Sequence, residues 1–239
     1  IINIISETHK IPVFIKIFFN LLAFSFSSSK NTISKSKDNL SASIQEMGTT
    51  FIKLGQFLAT RPDIIGEKLS KELESLQDKL PPFSKKEAEK IIIENLGQSN
   101  FDDIIDLSEP IAAASIAQVH KAKIKEDNII KNVAIKVLRP NIKKIFNDEI
   151  DAIMLLAYII ENLITKTKRL KLIEVVFLFK EITNHEMDLR FEAAAANEYA
   201  ENTKNDLGFF VPKIYWNFTS ESVLTLDWVD GVSIREKDL

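Results

Sequence analysis

Four small residues, Ala112-Ala113-Ala114-Ser115, precede by about two dozen positions an apolar run that ends in a lysine, Val133-Ala134-Ile135-Lys136. Glu126-Asp127-Asn128 between them reads as a turn, so the stretch predicts a hairpin whose first strand leaves a turn of small side chains. That pairing restricts the fold to one that brings a small-residue turn over a strand-borne ammonium. Small side chains let backbone N–H groups approach an anion, and the lysine adds a fixed positive charge, which together suit nucleotide phosphates.

The rest of the chain predicts a mixed α+β protein. Strands are expected at 110–114, 116–124, 133–138, 211–218 and 222–228, and long apolar-striped helices at 141–164 and 172–202. Upstream, Leu40, Ile44, Met47, Phe51, Leu54 and Leu58 recur at helical spacing, and Arg61-Pro62-Asp63 interrupts the pattern. Leu69, Leu73, Leu76 and Leu80 predict a second helix ending at Pro81-Pro82. Ser84 and Glu87 form a capping-box signature for a third, with Gly97 just beyond its end. The expected organisation is an apolar segment and linker over 1–37, a helical region over 38–105 and a mixed lobe over 106–239.

Composition removes several functional classes. Lys and Arg number 31 against 34 Asp and Glu, giving a net charge of −3 with no basic footprint for nucleic acid. Cysteine is absent, which excludes disulfides and thiolate metal sites. His9, His120 and His185 lack ligand-like spacing and are expected as surface or capping residues, so no metal site is expected in this chain. The apolar run at 11–24 is interrupted by Lys16 and Asn20 and falls short of the roughly 20 residues a membrane span needs. Three readings fit it: a helix on a membrane surface, a helix packed on the core, or a signal peptide.

A phosphate-gripping lysine needs a carboxylate to hold it, and 172–202 supplies Glu186, Asp188 and Glu192. On one continuous helix Asp188 and Glu192 share a face, with Glu186 pointing roughly the opposite way. Lys53 and Gln56, three apart, share a face of the first helix, and Gly55 between them suits close approach of another backbone.

The order of these motifs resembles the UbiB family of atypical protein-kinase-like proteins, which support ubiquinone biosynthesis. The resemblance rests on Phe51 to Phe57 with Thr60-Arg61-Pro62-Asp63 (the KxGQ signature), Ala112 to His120, Val133 to Lys136, Glu186-Met187-Asp188 leading to Glu192, and Val223 to Gly231. It implies a protein-kinase-like N-lobe, a five-stranded antiparallel sheet plus helix, with an N-terminal helical KxGQ extension. It further implies ATP or ADP as ligand, with Mg in the complete family protein. Lys136 and Glu192 take the catalytic positions. Ala112, Ala113, Ala114 and Ser115 cover the phosphates, Asp227 and Val229 bind adenine through their backbones, and Leu226 is the gatekeeper. Lys53, Gly55, Gln56, Glu186 and Asp188 form a regulatory group. Partners implied are nucleotide, a membrane surface or lipid-like quinone precursors, and other ubiquinone-biosynthesis proteins, at the cytoplasmic face of a membrane or in the cytoplasm. Neither His-x-Asp nor Asp-Phe-Gly occurs in the sequence. Phosphoryl transfer by this chain alone is therefore not expected, and the C-lobe is expected to be missing. The alternative is a non-catalytic membrane- or partner-binding scaffold keeping a vestigial nucleotide site.

Overall fold

A computed structural model describes residues 44–231 apart from 46, 75 and 77–79. The run at 11–24, the linker at 25–37 and Leu40 lie outside the described residues. The chain forms two compact units that part after Leu76.

In the first unit, Ile44, Gln45 and Met47 are helical and Gly48, at φ 105°, ends that turn. Helix α1 (Thr49–Ala59) follows, then α2 (Pro62–Ile65) and α3 (Glu67–Leu73). Proline occupies the first turn of α2, where its missing N–H costs nothing. The fully buried positions of α1 are Thr50, Ile52 and Gly55, whereas Phe51, Leu54 and Leu58 of the expected stripe are half-buried. The helix expected to reach Pro81 stops at Leu73. Leu76 is still buried, but from outside the helix.

The second unit opens with α4 (Lys85–Leu96), whose capping box is present: Ser84 Oγ accepts from the Glu87 N–H and the Glu87 carboxylate accepts from the Ser84 N–H. After α5 (Gln98–Asp102) come β1 (Ile104–Ile105), β2 (Pro110–Ala113), β3 (Ala117–Glu126) and β4 (Ile129–Leu138). Helices α6 (Ile142–Leu163), α7 (Leu172–Glu186) and α8 (Leu189–Thr203) precede β5 (Val223–Asp227). The five strands form an open antiparallel sheet in the order β1-β3-β4-β5, with β2 pairing the same strand as β1 further along. This is a kinase-like N-lobe with added helices.

Asp127 and Asn128 both take positive φ, 51° and 62°, the pair of left-handed conformers that a two-residue hairpin turn requires. The turn fixes the register, so Ala117 faces Leu138 and Glu126 faces Ile129 along the full ladder. Register in turn assigns the two faces of the sheet. Ala122, Ile124, Val133, Ile135, Val137 and Val223 pack with Ala88 and Ile92 of α4 into the core. Helix α4, expected among the N-terminal helices, therefore belongs to the sheet's own unit.

Three further expectations are corrected. The strand expected at 211–218 is a single bridge at Ile214, opposite Leu226, running into a 3₁₀ turn at Trp216–Phe218; the fifth strand is β1 instead. The helix expected at 172–202 is two helices, broken at Met187 and Asp188. Asp188 is extended (φ −124°, ψ 98°) and caps α8 by accepting the Arg190 N–H.

His120, expected at the surface, is fully buried. Its Nδ1 lies 2.8 Å from the Ser108 carbonyl, so Nδ1 carries the proton and donates. Nε2 is then an acceptor for the Gln118 amide at 2.9 Å, and the same amide pairs with both backbone groups of Phe83. Desolvation, outweighing the Ser108 bond and nearby Glu109 and Glu89, holds the His120 pKa below its ordinary 6.5, with Lys85 adding to the lowering. As pH falls through 6.5 the unfolded chain takes up a proton that the folded chain refuses, so this group favours folding above 6.5 and loses that contribution below it. Between pH 7.5 and 5.5, wild type is expected to lose stability more steeply than His120→Asn, by at most about 1.4 kcal/mol per pH unit. Equal slopes in denaturation series would contradict this.

Candidate functional site

The sheet face away from α4 carries the candidate side chains on β2 to β5. Because directly opposed residues share a face, the register lines up Ala112, Val119, Lys136 and Leu224 across β2, β3, β4 and β5. The next row is Lys121, Ala134 and Leu226. The small-residue turn, the lysine and apolar side chains thus occupy two neighbouring rows, with strands spaced about 4.8 Å apart.

Lys136 Nζ lies 2.7 Å from Glu192 Oε2, with side-chain exposures of 27% and 50%. Helix α8 reaches this position through specific ties. Leu189 and Ala193 are fully buried on its inner side, and the Leu189 N–H donates to the Glu221 carbonyl at 2.9 Å. The Glu221 carboxylate in turn pairs with Lys143 of α6. Glu192 therefore sits in the first turn of α8, where the partial positive charge of the helix end favours a carboxylate.

Asp188 and Glu192 do not share one helix face as expected, since Asp188 is the cap. Its carboxylate takes a two-pronged contact from Arg190, 2.9 and 2.7 Å, which holds its pKa below the ordinary carboxylate value. Glu186 ends α7 and belongs, with Asp188, to the second unit. Lys53 and Gln56 are half-buried on α1 in the first unit. Gly55 beside them is buried, and a Cβ there would run into the Leu76 side chain and approach Ile44; its close neighbours are side chains rather than the backbone expected.

The small-residue turn closes between β2 and β3, where the Ala114 N–H donates to the Ala117 carbonyl at 2.8 Å. Asp227 gives its N–H to the Lys213 carbonyl and accepts the Tyr215 hydroxyl at 2.6 Å; desolvation, and after it this bond, raises the tyrosine's pKa. Val229 is exposed, and Lys121 lies 4.3 Å over the Trp228 ring at this end of the sheet. Val119, Ala134 and Leu224 were not singled out from the sequence. Their signal was the period-2 alternation through Lys136, readable only once the pairing is known. Among the described residues, no three His, Asp or Glu side chains converge as a metal-holding group, and no helix is long and apolar enough to cross a membrane.

A kinase-like lobe with a lysine–glutamate pair behind a small-residue turn defines a kinase-like class, and comparison narrows it. Residues 75–239 match the ABC1 atypical kinase-like domain, and the chain belongs to that family. It is similar to proteins described as probable protein kinase UbiB from Marinobacter nauticus, 34% identical over 200 residues, and from Azotobacter vinelandii, 35% over 203 residues. A Vibrio cholerae protein of the same description is 35% identical over 202 residues. These alignments cover 82–83% of this chain and 36% of each relative, so the chain spans little more than a third of their length.

Proposed function

We propose that this chain binds an adenine nucleotide on the sheet face that carries Lys136, as part of a UbiB-type atypical kinase supporting ubiquinone biosynthesis. The observation that carries the reading is the 2.7 Å Lys136–Glu192 pair in the same cross-strand row as Ala112. In this reading Lys136 meets the phosphates and Glu192 holds it in place. Ala112 to Ser115 cover the phosphates with backbone N–H groups and small side chains. Val119, Ala134 and Leu226 supply an apolar seat for the base, with the Asp227 carbonyl and Val229 N–H at its edge. The N–H of Asp227 is committed to Lys213, which assigns the carbonyl to the adenine contact.

Magnesium supplies charge neutralisation when a nucleotide is held for transfer, but the described residues offer no carboxylate cluster for it and are assigned no step through it. Lys53, Gly55, Gln56, Glu186 and Asp188 are assigned a regulatory part on the family resemblance alone. Leu155, Tyr158, Leu163 and Phe177 on α6 and α7 are each more than half exposed, which supports a peripheral seat on a membrane surface. Quinone-like lipid precursors fit that setting as substrates.

Titrating the chain with ATP and with ADP by calorimetry tests the reading. Saturable one-site binding is expected, and its absence for both nucleotides would overturn it. Ala113→Gly widens the backbone freedom of the turn and removes a methyl beside the phosphates. It is expected to change the ratio of ATP to ADP affinity by a factor of several; equal ratios would rule out a role for the alanine in nucleotide choice.

A further inference from the structure

Arg139, just past the end of β4, grips the small-residue turn from behind. Its Nε and one Nη donate to the Ala114 carbonyl at 3.1 and 2.8 Å, and its own N–H donates to the Ile116 carbonyl at 2.8 Å. The other Nη donates to the Pro81 carbonyl at 3.0 Å, and the guanidinium carbon lies 5.9 Å from the centre of the Phe83 ring. One guanidinium therefore holds two segments 33 residues apart in sequence, the turn and the stretch that leads into α4.

The second strand of this connection is Gln118. Its side-chain amide pairs with both the N–H and the carbonyl of Phe83, at 2.9 and 3.2 Å. Gln118 is fully buried and lies directly opposite Ala113 in the β2–β3 ladder. The segment at 81–83 is thus tied to the turn at two points, by a charge-assisted bond from one side and a buried amide pair from the other.

We propose that Arg139 is a positioning residue for the small-residue turn, and that through it nucleotide affinity follows the placement of the 81–83 segment. This regulation rests on the nucleotide reading above. Because one planar guanidinium holds both carbonyls, a shift of either segment pulls on its bonds to the other. Displacing Pro81 therefore rotates the fork and loosens Ala114, whose neighbours cover the phosphates.

Amide hydrogen exchange on the whole chain, with and without ATP, separates the tie from the nucleotide reading. In Arg139→Gln, exchange is expected to speed at least tenfold at Ala114 and at Phe83. Protection of the β4 amides at Ile135 and Val137 is expected to stay as in wild type, and ATP affinity to fall about fivefold. Arg139→Lys keeps one charged donor, so it is expected to restore part of both effects; it also stands in if the glutamine variant fails to fold. Gln118→Leu, which frees Phe83 without touching the guanidinium, is expected to speed exchange at Ala114 only while Arg139 is present. Unchanged exchange at Ala114 in both Arg139 variants would overturn the proposal, as would additive effects of the Gln118 and Arg139 changes. If wild type binds no nucleotide while the exchange coupling holds, the tie stands, and the nucleotide reading falls together with the affinity effect.

Discussion

Lys136→Met is expected to weaken ATP binding roughly ten- to hundredfold while moving Tm by less than about 4 °C. The two magnitudes have separate origins. A charge-assisted hydrogen bond to phosphate contributes about 1.5–3 kcal/mol, which sets the loss of affinity. The ion pair that Lys136 makes without nucleotide is a different matter. With Lys136 27% and Glu192 50% exposed, it is a surface pair worth about 0–1 kcal/mol, and water takes over both partners when it is broken. At this chain length 1 kcal/mol corresponds to about 2–4 °C. Glu192→Gln keeps the ammonium and removes only its tether, so a several-fold loss is expected, smaller than that of Lys136→Met. Calorimetric titration of the three proteins decides the order. Wild-type affinity in Lys136→Met would remove the lysine from the site, and a large fall in Tm would show a structural role instead.

The pair at the centre of that experiment is legible in the sequence, but for incomplete reasons. Spacing and residue type point to Lys136 as the cation and offer Glu186, Asp188 and Glu192 as carboxylates; the family resemblance selects Glu192, and Lys136 and Glu192 do meet. The sequence predicts one helix over 172–202, because apolar periodicity continues where the backbone breaks at Met187 and Asp188. Nothing in that periodicity reports that Asp188 competes for the Arg190 N–H and turns the chain, or that the Leu189 N–H finds the Glu221 carbonyl. The capping box at Ser84 and the turn at Asp127-Asn128 were readable because each is a local bargain between neighbouring residues. Long-range partners were not. His120 looked like a lone surface histidine, since its reason for burial is a chain of bonds through Gln118 to Phe83, 35 residues upstream of Gln118. The strand misplaced at 211–218 has the same origin: its apolar residues Ile214, Tyr215 and Phe218 are buried, but as core filling around a 3₁₀ turn rather than as a ladder.

Adjacent residues of β4 are expected to fail in opposite ways, and this follows from register alone. Ile135 is fully buried, packed in one cluster with Ile92, Val133 and Tyr215. Ile135→Ala is expected to cost about 2–5 kcal/mol, the lost transfer energy plus a cavity that neighbours on a paired central strand cannot collapse to fill. Urea denaturation should show the midpoint falling with little change in slope. Ala134 points the other way, in the row with Lys121 and Leu226. Ala134→Leu adds three carbons to a half-buried surface, so stability is expected to change by less than about 1 kcal/mol. The same three carbons occupy the space assigned to the base, and ATP affinity is expected to fall at least tenfold. Together the two variants test the facing of the sheet: a stability loss at 134 with intact binding, and a binding loss at 135 with intact stability, would mean that the nucleotide face has been assigned to the wrong side.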